Sequence, residues 1–210
     1  MFTLITRRLL QLIPTIFFVS VLIFLLQQLL PGDPALVMAG EEKDPEVIEQ
    51  IRKRYRLDQP LPIQYLAWVG GVFRGDLGES MRLSEPVATL VAQKLPVTVQ
   101  LAVMAMIFTL GIGIPAGIIS AVKKDSAWDY VVNVVALWGI STPNFWLGIM
   151  LIFLFSVQLG WLPASGYVSP FEDFWASMAA TIMPAFVLGN SFAGVIMRHT
   201  RAAMLQVMES

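Results

Sequence analysis

Four stretches of the chain contain no charged residue: Leu9–Gly32, Leu95–Val122, Tyr130–Phe171 and Phe174–Met197. A helix needs about 20 residues to cross a hydrocarbon core of about 30 Å, and every run reaches that length. In lipid each backbone polar group must be satisfied within the segment, so these runs read as helices. The pattern predicts an all-α fold, a polytopic helical membrane protein with four spans. Polar positions concentrate between the first two runs, where Pro31–Pro96 holds 18 of the 29 formal charges. That segment reads as a small helical insertion outside the membrane. Three parts follow: residues 1–30 with the first span, the insertion 31–96, and residues 97–210 with spans two to four.

Arg7 and Arg8 precede the first run. A cleaved signal peptide would carry an apolar stretch of about 7–15 residues and a small-residue cleavage site. This run continues to Leu30, longer than a removable or twin-arginine signal needs, so an uncleaved span over Leu9–Leu30 is expected. Pro14, near its start, bends it modestly. Pro31-Gly-Asp-Pro34 stops the helix. Asp44-Pro45-Glu46 then reads as N-cap, first-turn proline and acidic first turn. Val47, Ile48, Ile51 and Tyr55 follow at helical spacing, with Arg52, Lys53, Arg54 and Arg56 in the last turns, where cations suit the helix dipole. A second insertion helix is expected from Pro62 to Phe73 and a third from Pro86 to Leu95.

Within the second span Gly113 and Gly117 form a small-xxx-small pair around Pro115. Such a pair permits close helix packing, although glycine and proline are common in membrane helices for other reasons. Lys123, Lys124, Asp125 and Asp129 mark a short hydrophilic turn. Tyr130–Phe171 is too long for one span and too short for two. It divides best into a helix from Asp129, interrupted near Gly139–Pro143 and continuing through Gln158, followed by a Gly160–Gly166 loop with Trp161 and Tyr167 at an interface. The fourth span contains Pro184 and passes into an amphipathic stub ending at Ser210. Arg7, Arg8, Lys123, Lys124, Arg198 and Arg201 fall on one side, while the loop between spans three and four has no Lys or Arg. The first side, with the N-terminus, is therefore expected to be cytoplasmic.

Composition narrows the chemistry. Charged residues are 14% of the chain, against about 25% in soluble domains. Cysteine is absent and His199 is the single histidine, which excludes thiol catalysis, cysteine metal sites and multi-histidine centres. A net charge of −1 offers no basic field for nucleic acid, and the Arg52–Arg56 run reads as a solvated helix end. No P-loop, H-E-x-x-H or G-x-S-x-G motif occurs. The charge-free spans hold no carboxylate pair for proteolysis or proton relay. An enzyme is not expected, and neither is a cofactor or metal. What the spans hold is uncharged polarity, most densely at Ser141, Thr142 and Asn144 around Pro143, with Asn190 in the fourth. Taken singly, such groups serve interhelical hydrogen bonding as well as a solute path. The group at Pro143 differs, because proline frees carbonyls that need partners, and a break at membrane depth faces protein or a water-filled cavity.

Several ordered segments carry a family resemblance: Arg7-Arg8-Leu-Leu with Ile13-Pro14-Thr15, Leu29-Leu-Pro-Gly-Asp-Pro-Ala35, Leu57-Asp-Gln-Pro-Leu-Pro62 with Gln64-Tyr65, and Gly75-Asp-Leu-Gly78 with Ser80. Leu95-Pro96-Val-Thr98, Gly139-Ile-Ser-Thr-Pro143 with Phe145 and Leu147-Gly148, and Leu159-Gly-Trp-Leu-Pro163 with Gly166 continue the series. In this order they resemble the membrane permease subunit of peptide/nickel-type ATP-binding cassette importers, nearest the first of the two permeases serving dipeptides, oligopeptides, glutathione or nickel. The resemblance implies a second permease subunit, two cytoplasmic ATPase subunits, an extracytoplasmic solute-binding protein and a bacterial or archaeal cytoplasmic membrane whose lipid surrounds the spans. It implies that the insertion faces the binding protein, with Asp33, Asp58, Gln59 and Asp76 as candidate facing residues. Lys123 and Lys124 become a candidate secondary ATPase contact. Members of the family continue past the fourth span into a coupling loop and two more spans. The sequence at Met208-Glu-Ser210 thus reads as a member cut short. A non-transporting membrane interaction protein of the same family is the alternative reading.

Overall fold

The computed structural model describes residues 2–40, 44–80, 82–83 and 85–209. Its helices are α1 (Phe2–Gln28), α2 (Pro34–Ala39), α3 (Pro45–Arg54), α4 (Leu61–Val72), α5 (Val87–Val122), α6 (Ala127–Ser141), α7 (Asn144–Leu151) and α8 (Phe174–Met208). A π-helical segment, Ile152–Gln158, continues α7. The described residues form no strand beyond one isolated bridge between Glu79 and Pro86. Two compact units result, Met1–Gln93 and Lys94–Ser210.

Three helices, α1, α5 and α8, are long and apolar enough to cross a membrane. The pair α6 and α7–π makes a fourth when counted as one broken span. This is the all-helical membrane architecture expected, with its boundaries moved. The separate third insertion helix does not exist, because Pro86–Leu95 supplies the start of the 36-residue α5. Pro96 stays inside that helix, where a proline removes one backbone bond but leaves its neighbours' bonds intact. The fourth span likewise runs on to Met208, so the amphipathic stub with Arg198, His199 and Arg201 is part of α8. The short α2 was not anticipated. Asp33 caps it by accepting from the Ala35 amide at 2.9 Å, with Pro34 at the first helical position. The expected cap on α3 is present at Asp44, which accepts from the Glu46 amide. That helix closes at Arg54, and Arg56 falls beyond it at φ +57°.

The first unit is built around α1. Its side chains are exposed nearly all round, as for a helix whose solvent is lipid or a neighbouring span. Tyr65 of α4 packs edge-on to Phe17 and Phe24 of α1, and its hydroxyl hydrogen-bonds Ser20 Oγ at 2.8 Å.

The second unit packs α5, α6 and α8 by backbone approach rather than by large side chains. A methyl on Gly117 would stand 2.7 Å from the Met197 carbonyl, and one on Gly113 2.8 Å from Ile196 Cγ2. On Gly194 it would stand 2.5 Å from the Ala136 carbonyl, and on Gly189 2.7 Å from that of Ala105. Ala136, Ala193 and Met197 form the buried centre. Such packing suits a membrane, where apolar bulk gives no advantage over lipid and close van der Waals contact does.

Candidate functional site

Five prolines lie within the candidate spans, and the chain breaks at one. Pro14, Pro96, Pro115 and Pro184 lie inside helices. At Pro143 the chain turns by 100° between α6 and α7–π, a sharper change of direction than an interrupted straight span. Thr142 and Pro143 are both extended, with ψ 123° and 128°. A residue before proline avoids the helical region, which accounts for Thr142. The side chains account for why the break persists here. Thr142 donates both its amide and its hydroxyl to the Trp138 carbonyl, at 2.9 and 2.7 Å. In a continuous helix Gly139 would bond the amide at 143, which proline lacks. Asn190 Nδ2 supplies that donor from α8, reaching the Gly139 carbonyl at 3.3 Å. Gly139 has no side chain in the way: a methyl there would lie 3.1 Å from the Asn190 carbonyl.

Beyond the break, Ser191 Oγ donates to Asn144 Oδ1 at 3.1 Å. Ser141 and Asn144 are exposed, and Thr142 and Asn190 half-buried. The sequence-derived group is thus brought together from α6, α7 and α8. A cavity of about 130 Å³ adjoins it, with Asn190 polar among walls that include Phe108, Trp138 and Phe186.

Polar contacts also fasten the bundle at both ends. At one, Gln100 Nε2 donates to Ser177 Oγ at 2.8 Å and Thr181 Oγ1 at 3.2 Å, and accepts from the Tyr167 hydroxyl at 3.1 Å. At the other lies a cluster that sequence reasoning missed. Asp129, expected at the hydrophilic turn where the third helix starts, lies in the first turn of α6 and is only 4% exposed. It accepts two bonds from Arg201 of α8, at 2.8 and 2.7 Å. Ser120 of α5 donates to the same carboxylate, as do Asn133 Nδ2 at 2.8 Å and the Asp125 amide at 3.1 Å. One carboxylate therefore ties the ends of three helices. The available signal was the Asp129–Asn133 spacing of four, which stacks both on one helix face, with Arg201 one turn past Met197.

The other candidates are placed as follows. Gly113 and Gly117 face α8, at the distances above. Lys123 Nζ lies 5.3 Å from the centre of the Trp128 ring, and Lys124 Nζ donates to Glu209 at 2.7 Å. That carboxylate raises the Lys124 ammonium above its ordinary value, and the ammonium holds Glu209 below its own. Asp33 is committed to capping α2 and to an ion pair with Arg52, which holds its carboxyl below the usual range. Asp58, Gln59 and Asp76 are exposed, with Asp76 accepting from the Gly78 amide at 2.9 Å. Among the described residues no group of three or more His, Cys, Asp or Glu could hold a metal.

Long apolar helices packed through glycine and a proline-broken span flanked by uncharged polar groups define a helical membrane protein. Residues 1–102 match the N-terminal model of binding-protein-dependent transport system membrane components, and residues 113–210 match the model of binding-protein-dependent transport system inner membrane components. The chain belongs to this family, the permease subunits of ATP-binding cassette importers. Its relatives include a protein of Brucella suis biovar 1 assigned as a peptide transport system permease, 43% identical over 209 residues, covering 100% of this chain and 67% of the relative. A Brucella abortus protein of the same assignment matches to the same extent. The glutathione transport system permease GsiC of Escherichia coli strain K12 is 43% identical over 202 residues, covering 96% of this chain and 63% of that protein. The chain therefore spans about two thirds of the length of these relatives.

Proposed function

We propose that the chain forms part of an inward pathway for small peptides or a related solute such as glutathione. It works with a second permease subunit, two cytoplasmic ATPase subunits and an extracytoplasmic solute-binding protein. It lies in the cytoplasmic membrane of a bacterium or archaeon with its N-terminus inside. Ser141, Thr142, Pro143, Asn144 and Asn190 border the pathway. Asp58, Gln59 and Asp76, with the α2 cap at Asp33, face the binding protein, and Lys123 and Lys124 contact an ATPase.

The observation that carries this reading is the break at Pro143. At the bend the uncharged polar side chains of Ser141 and Asn144 are exposed. Such groups suit a zwitterionic or polar solute. The energy for transport enters from the ATP-hydrolysing partners. Alternating access then consists of rigid-body movement of helices driven by closure of the ATPases.

The test is uptake of a labelled dipeptide and of labelled glutathione by cells deleted for the complete gene and complemented with parent or Pro143→Ala. Copies of the gene product are purified in mild detergent in parallel. The reading expects retained ATPase and second permease, uptake restored by the parent, and uptake altered by Pro143→Ala at unchanged membrane level. Unchanged uptake on deletion, with neither partner retained, would refute it.

A further inference from the structure

The helix α4 does not fit the solvated insertion that surrounds it. Its twelve residues, Leu61 to Val72, include no charge. Charges crowd both sides, with Arg52, Lys53, Arg54, Arg56 and Asp58 before it and Arg74 and Asp76 after it. Ile63, Leu66 and Trp68 are 46%, 67% and 43% exposed, and Phe73, at its C-terminal end, 87%. A helix of this length showing so much apolar surface on several sides is not at rest in water.

Its attachment to α1 gives its depth. Tyr65 reaches Ser20, and Leu61, Pro62 and Leu66 approach Val21, Phe24 and Leu25. Ser20 precedes the last residue of α1 by eight positions, about 12 Å along the helix axis. The stretch between is charge-free, and α1 is a candidate span. Tyr65 and Ser20 therefore meet below the level of the headgroups, where the Tyr65 hydroxyl donates to Ser20 Oγ in place of water and Ser20 donates to the Phe17 carbonyl. The Tyr65 ring also packs on Trp68, with centroids 6.1 Å apart. Tyrosine and tryptophan are the residues that settle at membrane interfaces.

We propose that α4 is an interfacial membrane anchor, lying in the leaflet at the Gln28 end of α1 with its exposed apolar side chains among lipid acyl chains. The partner is the lipid surface, and the lipid-facing wall of α1 continues directly onto α4. Interfacial helices sit about 5–10 Å into the headgroup–acyl boundary, and the Tyr65 hydroxyl reaches slightly deeper, to Ser20. The charged α3 remains in water, so the insertion is held close to the membrane plane.

The chain contains no cysteine, so single spin labels report cleanly. Ile63→Cys, Leu66→Cys and Trp68→Cys are labelled on α4, with Phe18→Cys on α1 and Lys53→Cys on α3 as references. The full chain is reconstituted in its importer complex in phosphatidylethanolamine–phosphatidylglycerol vesicles. Collision rates with oxygen, which partitions into lipid, and with a water-soluble nickel chelate are read by electron paramagnetic resonance. The proposal expects oxygen collisions several-fold more frequent than nickel collisions at the α4 sites and at Phe18, with the reverse at Lys53. Nickel dominating on α4 while oxygen dominates at Phe18 overturns it. Low accessibility to both reagents on α4 overturns it too, in favour of cover by a neighbouring protein span. Nickel dominating at Phe18 overturns the span assignment of α1 and the anchor with it.

Discussion

Arg201 is the residue whose loss the second unit should feel most. Its guanidinium makes two parallel bonds to Asp129, whose side chain is 6% exposed, while its own side chain is 27% exposed. Replacing it with methionine keeps the bulk and leaves a buried carboxylate supported by Ser120, Asn133 and the Asp125 amide alone. Breaking a buried pair by removing one partner costs about 3–5 kcal/mol. Arg201 keeps some contact with solvent, so the lower end applies, and Arg201→Met should cost about 3 kcal/mol. Asp129→Asn preserves shape and one acceptor oxygen and leaves a cation that can turn toward water, so about 1–2 kcal/mol is expected. The double variant no longer buries an unpaired charge. Its cost should fall short of the sum by about 1–2 kcal/mol, the coupling typical of groups in one network. SDS titration in dodecyl maltoside micelles, followed by tryptophan fluorescence and circular dichroism, measures all four proteins. Added salt should leave the coupling nearly unchanged, since screening over about 8 Å acts on exposed pairs and not on this one. Lys124→Ala, which removes an exposed pair, should by contrast leave the midpoint unmoved. An Arg201→Met protein within about 0.5 kcal/mol of the parent, the scatter of ordinary surface changes, would refute the clamp.

Three further outcomes follow from other contacts. Asn190→Ala strands the Gly139 carbonyl and should cost about 1–3 kcal/mol in the same titration, and less in a Pro143→Ala background, where an amide is restored at position 143. Gly194→Ala places a methyl against the Ala136 backbone and should destabilise by about 1–3 kcal/mol, whereas Gly111→Ala, which meets nothing within 4 Å, should be neutral or stabilising. Because Arg52 and the Ala35 amide hold the Asp33 carboxyl below its unfolded value, that carboxyl stabilises the α2–α3 region above the unfolded value and loses this as pH falls through the folded one. The protection of the Ala35 and Leu36 amides, relative to their intrinsic exchange rate at each pH, should therefore fall below about pH 4 and do so less steeply in Asp33→Asn.

Charge spacing made the spans legible, because a charge in lipid is costly and its absence over twenty residues is conspicuous. It located the breaks less well. Pro86 and Pro96 both looked like boundaries, yet α5 runs through Pro96, since a proline removes one hydrogen bond and a long apolar helix keeps the rest. Pro143 does break its helix, and there Asn190 replaces the donor that the proline takes from the Gly139 carbonyl. Asn190 was a candidate in the sequence, but its partner was not legible there, because only the fold brings positions 139 and 190 together.

The same limit explains Asp129. In sequence it stands beside Lys123, Lys124 and Asp125, and four charges in seven residues describe a solvated turn. Nothing local separates Asp129 from Asp125, yet one is buried and the other takes a positive φ of 60° at the surface. The separation comes from helical phase. Asp129 begins α6 on the face that carries Asn133 and Ala136, the face pressed against α8 by Gly194. Close packing at Gly194 and Gly117 brings α8 near enough for Arg201 to reach the carboxylate, and the carboxylate in turn fixes where α8 crosses the start of α6. Small residues in the middle of the bundle and a charge at its end are thus one device. The glycines set the spacing, and the ion pair sets the rotation of α8 that keeps Asn190 opposite Gly139.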